Sequence, residues 1–351
     1  MSLSEQILTL PVEIADFSIR PLTMSTRAGW VRHTTVVRLE GPDGHGEGLG
    51  EDVTYEADEQ RAFQAAAARI DVRGRFTLGA FSRHLDTQPL FVTPPARREN
   101  YLYRRWAFES AALDLALQQA GQSLASLLGR SPAPVRYVIS TGLGSPPGLA
   151  GLESLRRRFP EARFKVDYSE EWTADTVPML AGFGGIDTVD LKAHYHGSYQ
   201  GPGPDPTMYR CIAEGLPDCW LEDPAWSGEA WEALADHRDR ITWDAVLHSL
   251  ADLIQLPVMP RCVNIKPSRY GFVAELMRTY EYCRNRGIAM YGGGQFELGP
   301  GRGQIQYLAS LFHPDAANDV APAGFNEDAL APDLPASPLR PRPAPTGFRW
   351  L

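Results

Sequence analysis

Beyond Pro134 the chain repeats one rhythm: a short apolar run, then a longer amphipathic stretch. The apolar runs fall at residues 137–141, 163–167, 188–193, 219–222, 241–244, 262–266 and 288–291, with a weaker eighth at 319–321. Between them lie helical patterns such as "GLESLRRRF", "PTMYRCIAEGL", "VAELMRTYEYCRNR" and "GQIQYLASLF". Strands alternating with helices predict an α/β fold: a parallel sheet with the helices outside. Seven or eight such repeats suit a closed (β/α) barrel better than an open sheet.

In such a barrel the reactive face lies at the carboxyl ends of the strands. The second run ends Lys165-Val166-Asp167, the third Asp190-Leu191-Lys192, the fourth Glu222-Asp223-Pro224, the fifth at Asp244 and the sixth at Lys266. Asp190, Glu222 and Asp244 are expected at one level on three successive strands. Three facing carboxylates repel unless a cation sits among them, and hard oxygen donors at that charge density suit Mg²⁺. Lys165 and Lys266 would flank this group from opposite sides. An amine directly behind the buried run Cys262-Val263-Asn264-Ile265 is costly unless it is paired or used. Held beside a divalent cation and partly desolvated, a lysine has a lowered pKa and can act as a base. Any one of these residues alone reads as a surface or capping group, and Asp223 and Asp239 are read that way. The set at strand-end spacing argues for a site.

The first third has a different character. Residues 12–56 are β-rich, with a strand, the turn Gly41-Pro42-Asp43-Gly44 and a glycine-rich return. Residues 57–88 read as helical, and 101–128 form an amphipathic helix interrupted at Gly121 and closed at Gly129. The final "APDLPASPLRPRPAP" reads as an extended arm. At 351 residues the chain suits two domains, or one barrel with an attachment. A formal charge of −9 and the lack of a basic run argue against a nucleic-acid or anionic-membrane partner. No apolar stretch is long enough to span a bilayer. "MSLSEQILTLPVEIADF" lacks the marks of a signal peptide, so the expected location is cytoplasmic. Cys211, Cys219, Cys262 and Cys283 form no CxxC pair, which favours buried free thiols over a zinc site.

Together these segments resemble the enolase superfamily, and within it the muconate-lactonizing branch of the mandelate racemase/muconate lactonizing enzyme family. "VVRLEGPDGHGEGLGED" is similar to that family's capping hairpin, and "AFESAALDLALQQAGQSLASLLG" to the helical segment leading into its barrel. "WLEDP" is similar to its fourth-strand metal motif, "VNIKPSRYG" to its sixth-strand lysine motif, and "GGGQFELGPGRGQIQYLASLF" to its seventh-strand loop and helix. The resemblance implies a modified (β/α)₇β barrel with an α+β cap: residues 1–130 as the cap, 131–325 as the barrel, and 326–351 as an arm returning to the cap. It implies Mg²⁺ held by Asp190, Glu222 and Asp244. It also implies one chemical step, in which a base removes the proton α to a substrate carboxylate and the metal stabilises the enediolate.

The chain departs from the family pattern in two places. Where the family carries Lys-x-Lys on the second strand, this chain has Lys165-Val166-Asp167. Where it carries Asp-x-Asn on the third, this chain has Asp190-Leu191-Lys192. Residues two apart on a strand share a face, so a lysine is lost on one stave and gained on its neighbour. Lys192 would then pair with Asp167 and stand in as a relocated acid or base, or else point outward into a helix interface. No seventh-strand histidine is present, which favours lysine chemistry through Lys266, with Lys165 as its cationic neighbour. Gln295, after the Gly292–Gly294 run, is a candidate substrate contact. Glu297 is either another such contact or a partner for Arg302. His194 and His196 read equally as substrate contacts or solvated loop residues. Trp30, with Arg27 and Arg32, leaves room for an anionic or aromatic substrate group.

The expected activity is a lyase or isomerase: elimination or cycloisomerisation of a small carboxylate substrate. Racemisation or epimerisation follows if Asp167 or Lys192 serves as a second acid–base group. A non-catalytic metal- or ligand-binding relative is the rival class, and a homo-oligomer stays open.

Overall fold

The computed structural model describes residues 1–195 and 199–351. The chain opens with a short helix, Leu3–Leu8, capped reciprocally by Ser2 and Glu5. Strands β1 (Pro11–Ile14), β2 (Asp16–Ser25), β3 (Val31–Glu40) and β4 (Glu47–Asp52) follow. β2, β3 and β4 form an antiparallel sheet. Its tight turn uses left-handed backbone at Asp43 and Gly44. The glycines of the return strand have a packing cause. A Cβ at Gly48 would collide with the carbonyl oxygen of Ala111, and one at Gly50 with that of Ala107. β4 therefore lies directly on the backbone of the long helix Arg98–Gln119, whose middle is buried.

The expected continuous helical region 57–88 is broken. Helix Ala57–Ala66 is followed by β5 (Gly74–Thr77) and then helix Leu78–Leu85. β5 pairs antiparallel with β1, so long-range pairing overrides the local helical bias there. Helix Arg98–Gln119 stops before Gly121, and a short helix, Leu124–Leu127, ends before Gly129.

The barrel strands are β6 (Ile139–Thr141), β7 (Phe164–Asp167), β8 (Ile186–Asp190), β9 (Trp220–Glu222), β10 (Ile241–Thr242), β11 (Cys262–Ile265) and β12 (Ala289–Gly292). β6 to β10 form one parallel ladder in chain order, and β11 pairs with β12. Among the described residues no continuous closed ladder forms, but single backbone bonds span the seams. Asn264 N–H donates to Trp243 O at 3.0 Å, Asp319 N–H to Gly292 O at 2.7 Å, and Val138 N–H to Asn318 O at 2.8 Å. Residues 318–319 thus act as an eighth stave, where the weak eighth run was expected. Asn318 fastens that seam: its Oδ1 accepts Gly292 N–H at 2.7 Å, and its Nδ2 donates to Arg136 O at 2.9 Å. The result is a modified (β/α)₇β barrel with an α+β cap.

The chain end lies against the cap. Phe348 is fully buried, its N–H donating to Asp114 Oδ1 at 2.7 Å, while Arg349 Nε donates to Asp114 Oδ2 at 2.8 Å. The cap also reaches the loop after β12. Buried Arg32 donates to the carbonyl oxygens of Thr54, Gln295 and Phe296 at 3.0, 2.9 and 3.3 Å. Glu51 accepts the N–H groups of Leu298, Gly299 and Gly301 at 2.6, 2.9 and 3.0 Å, which caps helix Pro300–Phe312.

Candidate active site

Register places the acids. Asp167 partners Asp190, Asp190 partners Glu222, and Glu222 partners Thr242. Oxygens of Asp190, Glu222 and Asp223 all lie within 4.8 Å of one another, and all three residues are buried. Asp244, expected as the third member at the same level, is not in this group. β10 is only two residues long, so Asp244 sits two residues past the partner of Glu222, beyond the strand. Its Oδ2 lies 2.7 Å from Lys266 Nζ and accepts the Tyr195 hydroxyl at 2.9 Å. Asp223, expected to be solvated or capping, is buried at left-handed φ of 49°. Its two oxygens accept the N–H groups of Asp244 and Ala245, each at 2.8 Å, so it caps backbone, but inside the barrel mouth. Asp239 pairs with Arg261 at the surface, as its reading implied.

Lysines meet these acids from several staves. Lys165 Nζ makes a close ion pair with Glu222 and lies 3.2 Å from Asp190 and 3.8 Å from Asp319. Lys192 has left-handed backbone, φ 54°, which folds its side chain back into the mouth. Its Nζ lies 2.8 Å from Asp190 Oδ2 and 3.1 Å from Asp167 Oδ1. Lys266 closes a fully buried strand, and Pro267 behind it starts a short helix. Its stem runs over Gly293, where a Cβ would lie 2.6 Å from Lys266 Cε.

The charges are strongly coupled. Burial, with Asp190 and Asp244 nearby, pushes Glu222 up to about 8 against the pull of Lys165. Burial and the same two neighbours push Asp223 up to about 7. For Asp190, burial is outweighed by Lys165 and Lys192, and its pKa falls to about 2. Arg269 and Lys266 likewise outweigh burial and hold Asp244 well below the usual carboxylate range. Burial works against the Lys165 charge, yet Asp190 and Glu222 hold the group firmly protonated. Among the described residues, six carboxyl groups, of Asp167, Asp190, Glu222, Asp223, Asp244 and Asp319, meet the cationic side chains of Lys165, Lys192, Lys266 and Arg269. Asp244 Oδ1 is buried and lies 3.3 Å from Arg269 Nε. An all-oxygen, carboxyl-rich buried donor set fits a hard divalent cation.

The candidate substrate contacts are mostly engaged elsewhere. Glu297 Oε1 accepts Gln295 N–H at 2.7 Å and its Oε2 lies 3.1 Å from Arg302, so it is the structural partner of Arg302. Gln295 Oε1 accepts the Tyr55 hydroxyl at 2.9 Å, and its Nε2 donates to Tyr103 Oη at 3.4 Å. Trp30 packs edge-on to Phe296 at 5.4 Å, in an aromatic group that includes Tyr55. Arg32 is fully buried on backbone carbonyls and leaves no group for a substrate anion. The His194 ring lies 4.4 Å from Trp226, with Nε2 2.8 Å from Pro224 O. His196 lies outside the described residues. Sequence reasoning passed over Tyr195, Arg269, Tyr291 and Asp319 as members of this cluster. Arg269 alone left a local signal, one helical turn past Lys266.

Two family models match the chain. That of the N-terminal domain of DUF8230, a domain of unknown function, covers residues 5–127, and that of the C-terminal domain covers 131–327. An o-succinylbenzoate synthase of Bacillus subtilis (strain 168) is 25% identical over 263 residues, which is 68% of this chain and 65% of that protein. The match thus spans just under two thirds of that relative's length. An N-succinylamino acid racemase of Amycolatopsis sp. is 28% identical over 304 residues, 84% of this chain and 80% of that protein. Among solved structures, an enolase-superfamily member from Listeria innocua Clip11262 superposes with a TM-score of 0.65 at 17% identity, over 89% of this chain and 86% of that one. The fold is that of the enolase superfamily, and the chain belongs to the DUF8230 family.

Proposed function

We propose that this chain is a Mg²⁺-dependent enzyme that removes the proton α to the carboxylate of a small substrate, with elimination or cycloisomerisation as the outcome. The observation that carries this reading is the meeting of lysines from the second, third and sixth staves with buried acids at the strand ends. Asp190, Glu222 and Asp244 would hold the cation. Asp223, bonded to the Asp244 and Ala245 N–H groups, fixes the turn that presents Asp244. When bound, the cation supplies positive charge against the charge that develops on the substrate carboxylate.

Lys266 Nζ takes the α-proton. Gly293 leaves room for its stem, and the sixth-strand backbone fixes its origin. Lys165, kept protonated, orients the substrate and balances its charge. A free amine is far too weak a base for a carbon acid of this kind at neutral pH, so positioning and electrostatics supply most of the difference. A second reading, racemisation or epimerisation, is favoured by Lys192, whose amine turns into the mouth beside Asp167 and Asp190. It would deliver or take a proton from the face opposite Lys266.

The test is exchange of substrate α-hydrogen for deuterium in D₂O with Mg²⁺, over a panel of carboxylates that includes N-succinylamino acids. Exchange by the wild type and its loss in Lys266→Ala are expected. A wild type inert toward the whole panel, or a Lys266→Ala variant that exchanges as fast, overturns the reading. A configuration-inverted product that requires Lys192 would select the second outcome.

A further inference from the structure

Tyr291 lies on β12, five staves in sequence from Lys165, and is 1% exposed. Its hydroxyl donates to Glu222 Oε2, a close contact. The Tyr291 phenol oxygen in turn accepts from Thr242 Oγ1 at 3.3 Å. Thr242 is itself buried and is the register partner of Glu222. The direction of this relay is therefore fixed. Thr242 occupies a phenol lone pair, and the single phenol proton points at Glu222. The other carboxylate oxygen, Oε1, faces Lys165.

We infer that Tyr291 is a positioning residue of the cation site, holding Glu222 by Oε2 so that Oε1 is presented to the ion. This inference rests on the Mg²⁺ reading of the acidic cluster. The two donors to Glu222 differ in one decisive respect. Lys165 is an ammonium, and a cation arriving at Oε1 competes with it for the same oxygen. Tyr291 is a neutral donor on the far oxygen, so it keeps its bond when the ion binds and adds no opposing charge. A carboxylate buried this deeply has no water to replace a lost donor. Without the phenol, Glu222 is held by Lys165 alone, through the oxygen the ion needs. Partners of this kind, one bond removed from a metal, set ligand orientation and weigh on affinity nearly as the ligands do.

The experiment is calorimetric titration of chelator-treated protein with MgCl₂, for the wild type, Tyr291→Phe and Met290→Leu, each checked for native circular dichroism. Met290 is the buried neighbour on the same strand, with its side chain on the other face. Tyr291→Phe is expected to weaken Mg²⁺ binding by about 10- to 100-fold, while Met290→Leu binds as the wild type does. Should Tyr291→Phe fail to fold, Thr242→Val replaces it. Removing that hydroxyl frees the phenol to turn away, and a smaller loss of affinity is expected. Wild-type affinity in the folded Tyr291 variant, or in Thr242→Val where that stands in, overturns the inference and leaves the Mg²⁺ reading intact. An equal loss in Met290→Leu overturns it too, because the effect would then come from strand packing. A wild type that binds no Mg²⁺ overturns both.

Discussion

Gly293→Ala separates the geometry of Lys266, the proposed base, from the stability of the barrel. Gly293 has no left-handed backbone requirement, so an alanine there is not strained by φ. The cost is steric and local: the new Cβ would lie 2.5 Å from Asn264 Oδ1, 2.6 Å from Lys266 Cε and 2.9 Å from Lys266 Cγ. Restoring an ordinary carbon contact of about 3.5 Å moves the lysine stem by about 1 Å. A displacement of that size at a reacting group costs on the order of 100-fold in rate. The obstructed atoms belong to two side chains, Asn264 and Lys266, and to no backbone, so the fold should yield only about 1–3 kcal/mol. Rate is read as α-deuterium exchange and stability as urea unfolding of the same preparation. Loss of exchange with a nearly native unfolding midpoint is the expected pair of results. If exchange stays at the wild-type rate, Lys266 does not need its present path over Gly293, and the case for it as the base weakens. If the barrel unfolds instead, Gly293 is a packing residue and nothing more.

Two further outcomes concern stability. Burial lowers the His313 pKa from 6.5 to about 4, so the folded chain holds this ring neutral while the unfolded chain still protonates it. The unfolded state thus binds more protons below pH 6.5, and stability falls as pH drops from there towards 4, by about 3 kcal/mol from this group. In paired urea titrations at pH 7 and pH 4, His313→Gln should lack that part of the loss, and an unchanged pH slope would refute it. Gly50→Ala sets a Cβ against the Ala107 carbonyl, where backbone faces backbone and neither side yields. It should destabilise the chain by about 3 kcal/mol in urea unfolding. A loss well under 1 kcal/mol would show that β4 can lift off its helix.

The barrel was legible because its strands are buried on both faces. Cys262, Val263 and Ile265 are apolar, with Asn264 the lone polar residue, so the run stands out without any periodicity. The acids and lysines at its strand ends were legible for a related reason: a charge directly after such a run needs a partner. What the sequence could not carry was registration between staves far apart in the chain. Tyr291 meets Glu222, and Tyr195 meets Asp244, only through the curvature of the ring. Asp244 was read one level too low because the brevity of β10 depends on where the ladder ends, not on composition. β5 was missed for the same reason, since its partner β1 lies some sixty residues earlier.

Arg32 is the instructive misreading. An arginine in a cap loop suggests an anion, yet here the anion-like partners are backbone carbonyls. The loop after β12 has few partners of its own. Phe296 sits at a left-handed φ of 54°, and the segment turns sharply into helix Pro300–Phe312. Its carbonyls at 295 and 296 are taken by Arg32, and its N–H groups at 298, 299 and 301 by Glu51. Both donors of order come from neighbouring strands of the cap, and both are wholly buried. A barrel deprived of them would leave five polar backbone groups to find new partners in the turn that begins at Gly293. The same turn bounds the path of the Lys266 stem. The cap is therefore part of what holds Lys266, the proposed base, in place, and its hairpin belongs to the geometry of the candidate site as much as the strand ends do.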